Sequence, residues 1–436
     1  FLLLSEVLLM DLQEFRAKVA SLPVIDTHEH WPPESMALHH APDFFDMLTP
    51  YCVDNLLSAG MPLEEWVLLS NKEYPFDDKW RILSPYLDLV NNTTYFMALE
   101  KTLRSHYGFT GYTPASLQEV GRRLADENRA GVYRRIMDRE NIESALSFVS
   151  MEAPSDFTAH GLWPIPTVSD ICPRSRPDVE KLSTTSGVRI HDFDSLLTAV
   201  VSMFNKYQEQ GVKGIKFGSA YRRTLDFQAR TRQEAEAAFL ALLSDPYMGD
   251  SRVIGTKHTV HAMETLRALD DYLTDKMLEL ACERNMPVFF HVGIHAWNEN
   301  SIEATHGAPL NDLIRRHTKT TFILLHCGVP FVDEAILLCK YFSHVYLNMT
   351  WLHIINTAQA RACVGKFVEM LPLNKIHGFG GDYLYPQQIH GHLAIARNNL
   401  AEGLWALAKD GVITPDRALE IARKWLYENP KNLLAL

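Results

Sequence analysis

Five side chains far apart in the chain carry the chemistry of a divalent-metal centre: His28 and His30 in the stretch VIDTHEH (24–30), then His291, His326 and Asp382. Neutral imidazole nitrogens and carboxylate oxygens suit zinc and related ions. At strand spacing, His28 and His30 project to one side and Glu29 to the other. Alone, such a pair serves equally well as polar decoration at a strand end. Its weight comes from recurrence. His291 and His326 each terminate an apolar run (PVFFH and FILLH), Asp382 follows IHGFGG, and Lys216 lies near the end of GIKFG. A bound ion would lower the pKa of its water from about 15.7 to about 7, and a carboxylate beside it can accept the proton. The chemistry indicated is a metal-bound water acting as a hydroxide-like nucleophile near neutral pH.

Such a centre needs rigid supports that converge, and the chain supplies them as an alternation. Short β-rich runs are expected at 23–28, 144–150, 165–170, 214–218, 287–291, 322–326, 345–349 and 376–381. Most are nearly continuous apolar stretches, as parallel strands buried on both faces are. Helical patterns lie between them, among them 117–140, 193–211 and 389–411, the second closed by Gly211. Eight such units predict one α/β domain over 1–436, a (β/α)8 TIM barrel with its site at the C-terminal strand ends. An open doubly wound sheet is the other arrangement, but no GxGxxG stands at a first βα turn. Two helical insertions are expected after strands 1 and 4, at about 31–117 and 219–262, as lids or specificity walls.

Composition bounds the rest. The 436 residues are 47% hydrophobic and 22% charged, with a formal net charge of −11, which argues against nonspecific nucleic-acid binding. Six scattered cysteines without a CxxC pair fit a reducing compartment. The greasy start, FLLLSEVLLMDLQEF, carries Glu6, Asp11 and Glu14 and is too short to span a bilayer, so a packed helix and a cytoplasmic protein are expected. Self-association of subunits stays open.

After strand 4, KFGSAYRR (216–223) places Lys216, Tyr221, Arg222 and Arg223 on the active face, and arginine's fork matches a substrate carboxylate. One of the adjacent arginines is expected to be solvated or paired with Asp226. Trp31, Trp351 and His295 are candidates for the pocket wall, with core packing an equal reading for the tryptophans. Cys327 is read as a small packed residue, and His39, His40, His390 and His392 as surface or helix residues. His258 and His261 lack the intervening glutamate of a metalloprotease pair.

DTHEH, PVFFHVG, FILLHCGVPFVDEA, FGGDYLYP and the tail ALEIARKWLYENPKNLLAL resemble, in order and spacing, the amidohydrolase superfamily and its metal-dependent hydrolases. The resemblance spans about residues 20–436 apart from the insertions. It implies His28, His30, His291 and Asp382 as metal ligands, with Asp382 also the general base. His326 would bind a second metal or polarise substrate and stabilise developing charge. Zn²⁺ is the expected ion, one rather than two, although some members bridge two ions with a carbamylated lysine where Lys216 stands. The implied reaction is hydrolysis of an amide, ester or lactone bond in a small, anionic molecule. Relatives on this fold include uronate isomerases and nonhydrolytic decarboxylases, so those reactions, and a noncatalytic metal-binding barrel, remain alternatives.

Overall fold

The computed structural model describes residues 10–152, 161–245 and 257–436. Eight short strands carry the fold: β1 (Val24–Glu29), β2 (Ile142–Val149), β3 (Leu162–Pro166), β4 (Ile215–Phe217), β5 (Val288–Phe290), β6 (Phe322–Leu324), β7 (Val345–Asn348) and β8 (Ile376–His377). They pair in parallel in chain order, as one sheet β1-β2-β3 and another from β4 to β8. A parallel bridge between Thr167 and Lys216 joins the sheets on one side. On the other, the N–H groups of Thr27, His30 and Asp382 donate to the carbonyls of Phe379, Tyr383 and His28. The chain is a (β/α)8 barrel, closed at its last seam by loop backbone rather than by regular strand.

Alternation along the strands divides the core. Leu146, Phe148, Ile165, Phe289, Ile323 and Leu325 cluster inside the ring, and the larger cluster lies between strands and helices. In register, Lys216 stands beside Phe289, Ile323 and Tyr346, so it belongs to the inner row.

The expected strands recur with shifted ends: β1 runs one residue further, β2 and β3 begin two and three residues earlier, and the others are shorter. The run 376–381 is strand only through His377, because Gly378 N–H donates to Trp425 carbonyl in the C-terminal helical segment instead of extending the ladder. The run 165–170 turns into a 3-10 segment at Val168–Ile171. The helix expected over 117–140 is two helices, Pro114–Glu127 and Val132–Arg139, broken where Gly131 takes φ +81°.

The insertion after β1 is helical, and its own core joins Phe44, Phe45, Trp66, Leu83, Phe96 and Leu103. That core also contains Leu117, Val120 and Leu124, so the insertion extends past the expected boundary near 117. After β4, helix Arg232–Ser244 and helix Lys257–Glu283 follow, the second running straight through the expected boundary at 262. The side chains of His258 and His261, and most of the apolar N-terminal stretch, lie outside the described residues. Helix Leu12–Ala20 buries Phe15 and Val19. Among the described residues, no helix is long and apolar enough to cross a membrane.

Candidate metal centre

Strand β1 is buried along its whole length and delivers His28 and His30 to the ring's end. Their Nε2 atoms lie 3.4 Å apart and meet the same oxygen, Asp382 Oδ1, at 3.0 and 3.1 Å. One donor atom from each of the three residues lies within 4.8 Å of the others. His326 Nδ1 is 3.9 Å from the other carboxylate oxygen, and His326 Nε2 is 3.0 Å from His291 Nδ1. His291 thus reaches the group through His326. Lys216 is buried, its ammonium 4.8 Å from the Phe148 ring centre.

Carbonyl oxygens only accept, and this fixes the tautomers. His30 Nδ1 is 3.1 Å from the Phe148 carbonyl and donates to it, so in a neutral ring its Nε2 aims a lone pair at Asp382. His326 Nδ1 donates to the Thr350 carbonyl and His291 Nε2 to that of Ile294. The remaining nitrogens of His326 and His291 then face each other, lone pair to lone pair. Burial lowers the pKa of all three inner imidazoles, His326 to about 3 and His28 and His291 well below the usual range, and so keeps them neutral. Asp382 resists burial: the desolvation that would raise it is outweighed by His28 and His30, and its carboxyl stays well below the usual range. His28, whose Nδ1 has no partner, can donate its Nε2–H to Asp382, whereas the lone pairs of His30 Nε2, His326 Nε2 and His291 Nδ1 lack a donor and would be satisfied by a cation. A divalent ion therefore fits these residues, with the outer carbonyls orienting the rings as metal-bound histidines require.

The supports are strained where the site is built. His326 (φ +59°), Cys327 (+50°), Trp351 (+64°) and Asp382 (+62°) all adopt left-handed backbone just past β6, β7 and β8. The Asp382 loop is held from all sides. Gly381 N–H donates to Asp26, Tyr383 N–H donates to Glu29 at 2.7 Å, and the Tyr51 hydroxyl donates to the Asp382 carbonyl at 2.6 Å. Burial pushes both the Asp26 and Glu29 carboxyls up, Asp26 to about 6. A Cβ at Gly380 would strike the Thr350 hydroxyl, and one at Gly381 would strike the Glu29 carboxylate.

The remaining candidates separate. Tyr221 packs its ring 4.6 Å from both His291 and His295, beside the cluster. His295 stacks 5.3 Å from His291 and lines a cavity of about 770 Å³ with Asp54, Asn92, Tyr95, Trp297 and Asn356. Among the described residues, that lining includes no lysine or arginine. Lys216 is pushed down to about 7 by burial, against the pull of Asp382.

Several expectations need correction. Arg222 is exposed and paired with Asp170 at 2.7 Å, and Arg223 pairs with Asp270 and Asp271 and reaches only the backbone carbonyl of Asp226, at 3.5 Å, so neither fork stands unpaired toward the cluster. Trp31 is fully buried against Tyr133 and forms core, not pocket wall, because its carbonyl accepts from Ser147 and fixes the chain inward. Trp351 lies behind the site, stacked 4.5 Å from Tyr51 and edge-on to His326. Cys327 packs as expected, its thiol facing the Asn348 carbonyl. His39 and His40 are exposed and His390 and His392 lie in helix Ile389–Lys409, as expected, with His392 buried against the Gly381 carbonyl and His390 bound to Glu140. Tyr51, Asp26 and Glu29 went unread. DTHEH contains the last two, but only the fold reveals that they hold a loop more than 350 positions away.

Comparison with known proteins agrees with this architecture. Over 97% of this chain and 93% of the other, the fold is similar to glucuronate isomerase from Caulobacter crescentus (TM-score 0.77, 18% identity). Uronate isomerase from Thermotoga maritima matches over 97% of both chains (TM-score 0.75, 14% identity). A protein from Lactobacillus casei provisionally described as a metal-dependent hydrolase also matches over 97% of both (TM-score 0.64, 18% identity). At the sequence level, 273 residues are 21% identical to Protein fluG of Emericella nidulans, covering 61% of this chain and 30% of that one. The chain thus spans less than a third of the curated relative it matches. The Amidohydrolase family model matches residues 206–436, which include β4 to β8 with His291, His326 and Asp382. With just over half its length matched, the chain belongs to the amidohydrolase family.

Proposed function

We propose that this protein is a metal-dependent hydrolase that cleaves an amide, ester or lactone bond in a small polar molecule. One observation carries the reading: His28, His30 and Asp382 bring neutral and anionic donors to one point at the end of the barrel, with His326 and His291 adjoining. Zn²⁺ or a similar ion held there would supply Lewis acidity toward a carbonyl and toward water. Asp382 is kept ionised and is the group positioned to take the attacking water's proton and pass it to the leaving group. The tautomer of His326 leaves no N–H aimed at substrate, so its role is holding the cation with His291 rather than donating to an oxyanion. Lys216 is the nearby cation suited to a substrate carboxylate or a developing negative charge. The hydroxyl- and amide-rich cavity beside His295 suits a neutral polar body for the rest of the substrate.

Sugar-acid isomerisation is the second reading. The likeness to uronate isomerases runs over 97% of the chain and so includes the helical insertion after β1. Against it, both arginines that would seat a carboxylate are committed to aspartates. Mass spectrometry with zinc-loaded protein, a panel of small amides, esters and lactones, and two uronic acids separates the readings. Hydrolysis in ¹⁸O-water yields products heavier by one labelled water in total. Isomerisation of a uronate at unchanged mass, with the panel untouched, would overturn the hydrolase reading, and CO₂ release would indicate decarboxylation.

A further inference from the structure

We propose that His106, Glu140 and His390 form a second divalent-metal site, of the zinc class, that ties the helical insertion to the barrel wall. The three come from separate elements: His106 closes helix Thr94–His106, Glu140 follows helix Val132–Arg139 just before β2, and His390 opens helix Ile389–Lys409. One donor atom of each lies within 4.8 Å of the others. His390 Nδ1 is 3.1 and 3.0 Å from the two Glu140 oxygens, and His106 Nε2 is 3.4 Å from one of them. The two rings stand edge to face with centres 4.3 Å apart. Around a tetrahedral zinc with bonds of about 2.0–2.1 Å, neighbouring donors sit roughly 3.3 Å from one another. The observed spacings bracket that value.

A second observation points the same way. His106 Nε2 is sealed from solvent and makes no hydrogen bond, although it aims into the cluster. The Glu140 oxygen 3.4 Å away is too poorly aligned for a hydrogen bond, and an ion between the two would satisfy both. Glu140 is itself 5% exposed. Arg139 approaches one of its oxygens at 3.3 Å but directs its guanidinium end to Glu127 at 2.8 Å, and Arg397 donates to the Leu22 and Glu140 carbonyls. The Glu140 carboxylate is therefore left mainly to the imidazoles. The surrounding helices are already in close contact: Gly391 packs on the backbone of Ala98, and its N–H donates to Thr102. An ion here would clamp the insertion whose Asp54 and Tyr95 line the cavity.

The test is zinc bound per chain, measured by elemental mass spectrometry after gel filtration from excess Zn²⁺. The H106Q/H390Q protein is expected to hold one ion fewer than wild type, with turnover unchanged. The H28A/H30A protein is expected to retain one ion and a zinc-dependent rise in Tm, and adding H390Q to it should remove both. Equal zinc in wild type and H106Q/H390Q, or none in H28A/H30A, would overturn the proposal and leave the cluster a carboxylate-centred ion pair. Because the H28A/H30A count does not depend on catalysis, it stands apart from the hydrolase reading.

Discussion

Two histidine–carboxylate clusters in this molecule share a donor set and differ in everything around it. At the barrel end, Asp382 stands on a loop of left-handed backbone, with Lys216 beside it and a cavity next to His295. At the insertion, Glu140 and its imidazoles sit among helix ends, with Arg139 and Arg397 close by. The first cluster has its carboxylate held by strained backbone, and strain of this kind persists where surrounding structure over-determines it. The second rests on helix ends, and its left-handed residue, Asn141 (φ +56°), follows Glu140 rather than bearing a donor. Two imidazoles and a carboxylate make a cation site; adjacent space and a positioned acceptor are what make such a site reactive.

The largest effect expected is at the barrel cluster. H28A or D382N should lower turnover by on the order of a thousandfold or more, given the several kcal/mol a Lewis acid supplies. Circular dichroism should remain that of wild type. If H106Q/H390Q lowered turnover equally, the division between a reactive and a structural cluster would fail.

Next in size is G381A. A Cβ there strikes the Glu29 carboxylate and displaces the loop that carries Asp382. Overpacking of this kind costs about 1–3 kcal/mol of stability, and kcat should fall further than that loss explains. Unchanged kcat would mean that the loop's position is not limiting.

Y51F removes the hydroxyl that donates to the Asp382 carbonyl. Loss of one such bond is worth about 1 kcal/mol, hence about a fivefold fall in kcat with little change in KM. A KM effect alone would instead place Tyr51 against substrate.

The smallest effect calibrates what burial does to an imidazole that faces no cation. His377 on β8 is fully buried without a hydrogen-bond partner, and burial lowers it to about 3. It is neutral in the fold and titrates near 6.5 when unfolded, so the unfolded state binds the extra proton. Its contribution to stability is complete above pH 6.5 and is lost as pH falls toward 3. Denaturant melts across that range should show a slope shallower by about one proton in H377F than in wild type. Identical slopes would show that His377 is hydrated.

The barrel and its metal-competent histidines were legible because parallel strands buried on both faces leave apolar runs, and His28, His291 and His326 mark where those runs end. What followed the strands was not. The left-handed turns at His326, Trp351 and Asp382 follow from tertiary hydrogen bonds, and nothing local to those residues announces them. Arg222 and Arg223 read as substrate forks because their partners, Asp170, Asp270 and Asp271, lie roughly 50 positions away in chain order. The Glu140 cluster was invisible for the same reason: positions 106, 140 and 390 carry no periodic mark, and only helix packing brings them together.

Anomalous X-ray scattering from crystals grown with zinc tests the central assignment most directly. The barrel assignment expects a zinc peak bonded to His28 Nε2, His30 Nε2 and Asp382, at about 2.0–2.2 Å from each. Zinc density elsewhere in the same crystal, with those three side chains still bonded only to one another, would contradict it.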